Sequence, residues 1–310
     1  MLSSLSESFL AAPTWRHIGI DEAGYGPILG PLVVTLVAVD GPTQDLAGRL
    51  ATAGCGVADS KRIHRSGDLR PLEAIALPAL EWLSGLRPTT AAECFALADE
   101  NAEQRQLPWM AGADDLRLPV AAHDPASWSL ADLQPICGTA RIIHPAALNQ
   151  ASASGSNRAA VELAAIGELV TEVPLAPCTD LLVDRLGGRK FYRDSLATWW
   201  PDADCLEQDE APVCSAYHLR HGDNRLRCRF HVGGESVSPL TAIASCIAKY
   251  LRELHMLLFN RYWCGRFRWL RPTAGYAVDG KRWLHQLGTG LVGAYATDLV
   301  RGDPAALLRI

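Results

Sequence analysis

The chain has 310 residues, 48% of them hydrophobic and 20% charged, with 26 Gly and 19 Pro. This composition suits a globular protein with one large core or two modest ones, and it excludes collagen, coiled coil and a disordered chain. Lys and Arg number 29 against 34 Asp and Glu, a net charge of −5, so a nucleic acid would have to be met by a local basic patch rather than an overall basic surface.

In chain order, Trp15 to Asp21 alternates and runs into Glu22-Ala-Gly-Tyr-Gly-Pro, the pattern of a strand ending in a glycine-rich turn. Leu32 to Val39 is rich in β-branched residues and bounded by Pro31 and Gly41-Pro42, which predicts an antiparallel hairpin with the first strand. Leu69, Leu72, Ile75 and Ala76 have helical spacing within a predicted helix from about 68 to 82. From 91 to 137 a short helical stretch to Gln106 gives way to aperiodic sequence, read as an insertion. Arg141-Ile-Ile-His-Pro reads as a strand leading into a Pro-started helix. Asn157 is placed to cap a helix running to about Val170.

Leu181-Leu-Val-Asp184 reads as a short buried strand ending in an acid, and Arg189 to Trp200 as a helix stopped by Pro201. Residues 215–220 and 226–232 alternate across His221-Gly-Asp-Asn224. They predict a hairpin, taken as an extra element over about 212–232, whose second strand delivers Gly233-Gly234-Glu235. Leu240, Ile243, Ala244, Ile247, Leu251 and Leu254 mark one face of a helix, and the C-terminal region from about 239 to 310 is expected to be helical. Without repeats or linkers, the expectation is one elaborated α/β domain over 1–310.

Nine cysteines without a C-x-x-C pair disfavour a zinc ribbon and a disulfide framework, and they lead us to expect reduced thiols in a cytoplasmic protein. The longest apolar run, Pro27 to Val39, holds Gly30 and Pro31 and is too short to cross a bilayer; the N-terminal stretch lacks a basic region and is interrupted by Glu7. No membrane association is expected.

Acids close three separate predicted strands: Asp21 and Glu22, Asp184, and Glu235. The ends of strands in α/β sheets are favoured ligand positions. A strand-end acid taken singly is more often solvated or helix-capping. Four carboxylates sharing one pocket would repel one another, and a divalent cation relieves this. An all-oxygen donor set suits Mg²⁺ or Mn²⁺, and two such ions about 4 Å apart can activate water and stabilise the leaving oxygen of a phosphodiester.

The motif Gly19-Ile-Asp-Glu-Ala-Gly-Tyr-Gly-Pro-Ile-Leu-Gly-Pro31 resembles the first-strand signature of the type 2 ribonucleases H, the HII, HIII and eukaryotic H2 group. Ala58-Asp59-Ser60-Lys61 is similar to the family's DSK motif, and Leu182-Val-Asp184-Arg-Leu-Gly to its third-acid strand. The helix motif around Tyr192-Arg-Asp-Ser-Leu196 and the stretch from Gly234-Glu235-Ser236 through Ala242 to Glu253 resemble later motifs, as does Ala274-Gly-Tyr276. They follow in family order over about residues 16 to 290.

The resemblance implies a ribonuclease H-like mixed sheet flanked by helices, with a helical C-terminal part. It further implies a metal-dependent endoribonuclease acting on RNA/DNA hybrids or on ribonucleotides embedded in duplex DNA, and leaving 5′-phosphate ends. Carried over residue by residue, Asp21, Glu22, Asp184 and Glu235 are the metal ligands, for a pair of Mg²⁺ or Mn²⁺ ions. Gly24, Tyr25 and Gly26, with Lys61, Lys249 and Tyr276, would meet the substrate. Two departures stand out. Tyr25 occupies the middle of a turn that in HII carries arginine, and a glutamate at 235 is the HIII habit where HII has aspartate, so the subtype stays open.

Lys249 can alternatively pair with Glu253 one turn on, and Glu253 itself is read as a supporting helix-surface acid. Arg225, Arg227 and Arg229 alternate with apolar residues and are read as a solvated strand face, with a duplex-contacting ribbon as the alternative. There is no H-E-x-x-H, G-x-S-x-G or P-loop pattern. Gly24, Gly26 and Gly30 have the wrong spacing for a dinucleotide fingerprint, and adjacent acids would repel a pyrophosphate. An ATPase-like protein would need further phosphate loops. A non-catalytic nucleic-acid-binding relative is the remaining alternative.

Overall fold

A computed structural model describes residues 14–42, 45–52, 55, 68–97, 106–121, 123 and 125–302. The Asp59-Ser60-Lys61 motif lies outside the described residues.

A seven-stranded sheet runs in the order β3-β2-β1-β4-β7-β6-β5, from β1 (Trp15–Ala23), β2 (Leu32–Gly41), β3 (Gln134–Ile143), β4 (Cys178–Asp184), β5 (Asp204–Glu210), β6 (Cys214–His221) and β7 (Asn224–His231). β1 is antiparallel to β2 and parallel to β4, and β4 is parallel to β7. The mixed sheet implied by the resemblance is therefore present. Three adjacent strands, β1, β4 and β7, point the same way, so their C-terminal ends fall side by side along one rim of the sheet. Neighbouring strands lie about 5 Å apart, which is why acids far apart in the chain meet there.

The helices are α1 (Leu46–Thr52), α2 (Arg70–Ser84), α3 (Ala91–Leu97), α4 (Pro145–Ala153), α5 (Arg158–Glu172), α6 (Arg193–Trp199), α7 (Pro239–Arg266), α8 (Ala277–Leu287) and α9 (Thr289–Leu299). No helix among the described residues is long and apolar enough to cross a membrane. α7 covers one face of the sheet in a core with α2, α3 and α8 residues such as Leu72, Phe95 and Trp283. α5 and α6 cover the other, where Ile18, Ile20, Leu181 and Val183 pack against Ile166, Leu169 and Leu196. β2 is buried on both faces, which explains its continuous apolar run. At Gly19 a Cβ would lie 2.3 Å from the Thr241 amide nitrogen. Only glycine lets the start of α7 lie directly on β1.

Several sequence expectations need correction. The hairpin at 212–232 is not a separate addition: β7 pairs with β4 and is a central strand. β6 and the edge strand β5 extend the sheet beyond β7, and the sequence Asp-Cys-Leu-Glu-Gln-Asp-Glu of β5 hides its period behind acids that suit a solvent-facing edge. The helix expected from Arg189 begins at Arg193. Side chains take up the preceding backbone: Ser215 Oγ donates to the Lys190 carbonyl (2.6 Å), Arg185 Nε to the Arg189 carbonyl (2.6 Å), and the Tyr192 amide donates to Tyr217 Oη (2.9 Å). The segment 91–137 is aperiodic in sequence, yet Cys94, Phe95, Trp109 and Met110 are buried in the α7 core, and from Gln134 it is already β3.

Candidate active site at the ends of three parallel strands

Asp21 and Glu22 end β1, Asp184 ends β4, and Glu235 lies in a short 3-10 turn (Gly234–Ser236) just after β7. One carboxylate oxygen from each of Asp21, Glu22 and Asp184 lies within 4.8 Å of the others. Asp184 Oδ1 accepts the Gly234 amide (2.7 Å), tying β4 to the turn that carries Glu235. Ser245 on α7 donates to Glu235 Oε2 (3.2 Å) and lies beside Asp21. Glu235 is thus joined to the trio through one hydroxyl.

Because successive strand residues face opposite sides of a sheet, Asp21 turns toward α7 and Ser245. Glu22 turns toward α5, where it lies beside Glu162. Glu162 is 1% exposed, and its Oε2 has no hydrogen-bond partner. The sequence reading did not single it out. A signal was there: Glu162, Ile166 and Leu169 recur at i, i+4 and i+7 on the buried face of the helix capped by Asn157, whose side chain accepts the Ala160 amide (2.9 Å). An acid on such a stripe needs a partner.

The electrostatics follow from burial and crowding. Burial, then the charges of Glu22 and Asp184, holds the Asp21 carboxyl well above its ordinary range. Burial, then Glu162 and Asp184, pushes Glu22 up to about 8. Burial, then Asp21 and Asp184, pushes Glu162 up to about 8. Without a counter-charge the site binds protons. Oxygen-only donors, converging and short of positive charge, are the set that hard divalent cations take.

Positive charge gathers beside this site around the glycine-rich turn. The Arg158 guanidinium stands 5.5 Å from the Tyr25 ring centroid and donates to the Tyr25 carbonyl. Arg301 donates to the carbonyls of Gly24 and of Gly30, the latter through Nε at 2.8 Å. Arg252 lies 5.5 Å from the Tyr276 ring centroid and donates to the Ala274 carbonyl (2.9 Å). Gly24 has φ +86°, and a Cβ there would strike Arg252 Nε at 2.6 Å, so the turn accepts only glycine. A Cβ on Gly26 would meet nothing within 4 Å, leaving that side of the turn open. Tyr276 is 55% exposed beside the turn, whose Ile28 amide donates to the Gly275 carbonyl (2.8 Å). Lys249 sits on α7 one helical turn beyond Ser245, half-buried. Glu253 lies 3.8 Å from Arg252.

The arginine row of β7 is corrected. Arg227 makes two hydrogen bonds to Asp180 (2.8 and 2.9 Å), and Arg229 a third (2.7 Å). Burial opposes charge on Asp180, but the two guanidiniums hold its carboxyl below the usual range. Two of the three cations are thus spent on a buried strand acid that the sequence pattern did not pair with them.

Residues 18–69 match the family model described as Ribonuclease HII. Similar solved structures include Bst-RNase HIII in complex with Mn²⁺ (15% identity, 97% of this chain and 70% of that one, TM-score 0.47). Others are the RNase HII of Archaeoglobus fulgidus from its complex with PCNA (17%, 92% and 93%, TM-score 0.45) and the ribonuclease H2 of Pyrococcus horikoshii OT3 (14%, 94% and 95%, TM-score 0.41). No curated protein matches the chain.

Proposed function

Taking the chain as a member of the type 2 ribonuclease H family, we propose that it is a metal-dependent endoribonuclease that cuts the RNA strand of RNA/DNA hybrids or a ribonucleotide embedded in duplex DNA. The observation that carries this reading is the convergence of Asp21, Glu22 and Asp184 within 4.8 Å on a strand-end rim, inside and beyond the segment that matches the family. Mg²⁺ or Mn²⁺ in such a site supplies a more acidic water and neutralises charge on the leaving oxygen.

In this reading Asp21, Glu22, Asp184 and Glu235 hold the cations, and Ser245 fixes the relative position of Asp21 and Glu235. The open side of the turn at Gly26 admits a sugar, whose 2′-hydroxyl distinguishes RNA from DNA. Tyr276 offers its exposed ring to a neighbouring sugar. Arg158 and Lys249 hold backbone phosphates, which gives a chain of net charge −5 a local cationic patch, and the family motif assigns Lys61 the same role. Nine cysteines without a C-x-x-C pair suit a reducing cytoplasm.

The test is incubation of the purified protein with labelled hybrid and single-ribonucleotide duplexes in Mg²⁺ or Mn²⁺, with analysis of product ends. Cleavage leaving 5′-phosphate and 3′-hydroxyl supports the reading. Binding without cleavage in either metal would make the chain a non-catalytic relative.

A further inference from the structure

We infer that Glu162 is a fifth carboxylate of the cation site, forming with Glu22 a subsite for one divalent ion on the α5 side of the sheet. The inference rests on the metal reading above and goes beyond the four acids that the family motifs supply.

Three observations carry it. Glu162 is 1% exposed, yet among the described residues it has no arginine or lysine partner of the kind Asp180 has; it lies beside Glu22, within reach of the charges of Asp21 and Asp184. Its Oε2 is buried without a hydrogen-bond donor. A buried acceptor left unmade is costly, and a carboxylate more so. Finally, the acids divide by face: Asp21 is joined to Glu235 through Ser245 on the α7 side, Glu22 to Glu162 on the α5 side, with Asp184 between. With that division, Asp21 and Glu235 would hold one cation and Glu22 and Glu162 the other, beside Asp184. A buried acid set opposite another acid, with one oxygen unused, has the donor chemistry of a hard-cation ligand.

A structural role is the competing account: Glu162 would merely share a proton with Glu22 and hold it in place. The isosteric Glu162→Gln keeps the volume and a hydrogen-bond donor for Glu22 but removes the charge, so it separates the two. The measurement is titration of the metal-free protein with Mn²⁺ alone, followed by the electron paramagnetic resonance of free Mn²⁺ and by calorimetry, for wild type, Glu162→Gln, Glu162→Asp and Asp21→Asn. The expected result is two Mn²⁺ per wild-type chain, with one of them weakened about tenfold or more in Glu162→Gln and partly recovered in Glu162→Asp. Circular dichroism should show Glu162→Gln folded. Mn²⁺ binding by Glu162→Gln equal to wild type in number and affinity would overturn the inference while leaving the metal reading intact. No Mn²⁺ binding by wild type would overturn the metal reading itself, and this inference with it.

Discussion

Asp21 and Glu22 are consecutive in β1, yet they serve opposite faces of the sheet, Asp21 reaching Ser245 on α7 and Glu22 reaching Glu162 on α5. A strand's period of two normally separates neighbours. At the strand end the two carboxylates still come within 4.8 Å of each other and of Asp184, so a single dipeptide draws both helix layers into one site.

The crowding makes the metal-free protein sensitive to pH. Glu22 and Glu162 bind protons up to about 8 in the folded chain but only to about 4.5 when unfolded. In that window the folded state holds more protons, so this contribution to stability is full below the unfolded value and is lost as pH rises toward 8. The melting temperature without metal should fall by several degrees, about 5 °C, between pH 6 and 8. Scanning calorimetry with and without Mn²⁺ checks this, and saturating Mn²⁺ should flatten the curve. An unchanged melting temperature across the range would show that the acids carry no such strain.

Ser245→Ala removes the hydroxyl that links Asp21 to Glu235 while leaving every carboxylate in place. Activity at fixed metal should drop about 10–100-fold, as for other groups that orient ligands, with recovery at high Mn²⁺. Thr at 245 should restore most of it. A Ser245→Ala protein as active as wild type would mean that the link is incidental.

Arg158 supplies at the Tyr25 turn the cation that the turn itself lacks. Arg158→Ala should weaken duplex binding and reduce the salt slope by about one, whereas Arg229→Ala, which loses a contact to Asp180 and not to substrate, should leave the slope as it was. Tyr25→Arg sets a second cation against Arg158 and should gain little affinity. Fluorescence anisotropy over a range of KCl concentrations decides, and a slope unaltered in Arg158→Ala would remove Arg158 from the interface.

Gly19→Ala places a methyl 2.3 Å from the Thr241 amide nitrogen and 2.4 Å from the Leu240 carbonyl carbon. Backbone cannot yield as a side-chain tip does, so a loss of about 3 kcal/mol is expected from urea unfolding. A loss below about 1 kcal/mol would show that α7 can lift off β1 at little cost.

The core strands were legible because their apolar runs are bounded by Gly and Pro, and Asn157 announced its helix. Asp21, Glu22, Asp184 and Glu235 could be singled out because each closes a strand pattern. What stayed hidden depended on contacts distant in sequence. Glu162 shares its helix stripe with Ile166 and Leu169, but that the stripe sets it against Glu22 follows only from the docking of α5 on the sheet. Ser245 is one polar residue within an apolar stripe. The pairing of Arg227 and Arg229 with Asp180 needs the parallel register of β4 and β7, which no local period encodes. The acidic edge strand β5 carries too little apolar sequence to show its period.

Single-turnover cleavage of a duplex containing one ribonucleotide, by wild type and Asp21→Asn across a Mn²⁺ titration, bears most directly on the site. The account predicts metal-dependent cleavage by wild type at the ribonucleotide junction and a loss of at least about 10³-fold in Asp21→Asn, a protein that is folded and as stable as wild type, or more so, without metal. Cleavage by Asp21→Asn at near wild-type rate in saturating Mn²⁺, or cleavage by wild type undiminished in EDTA, would contradict it.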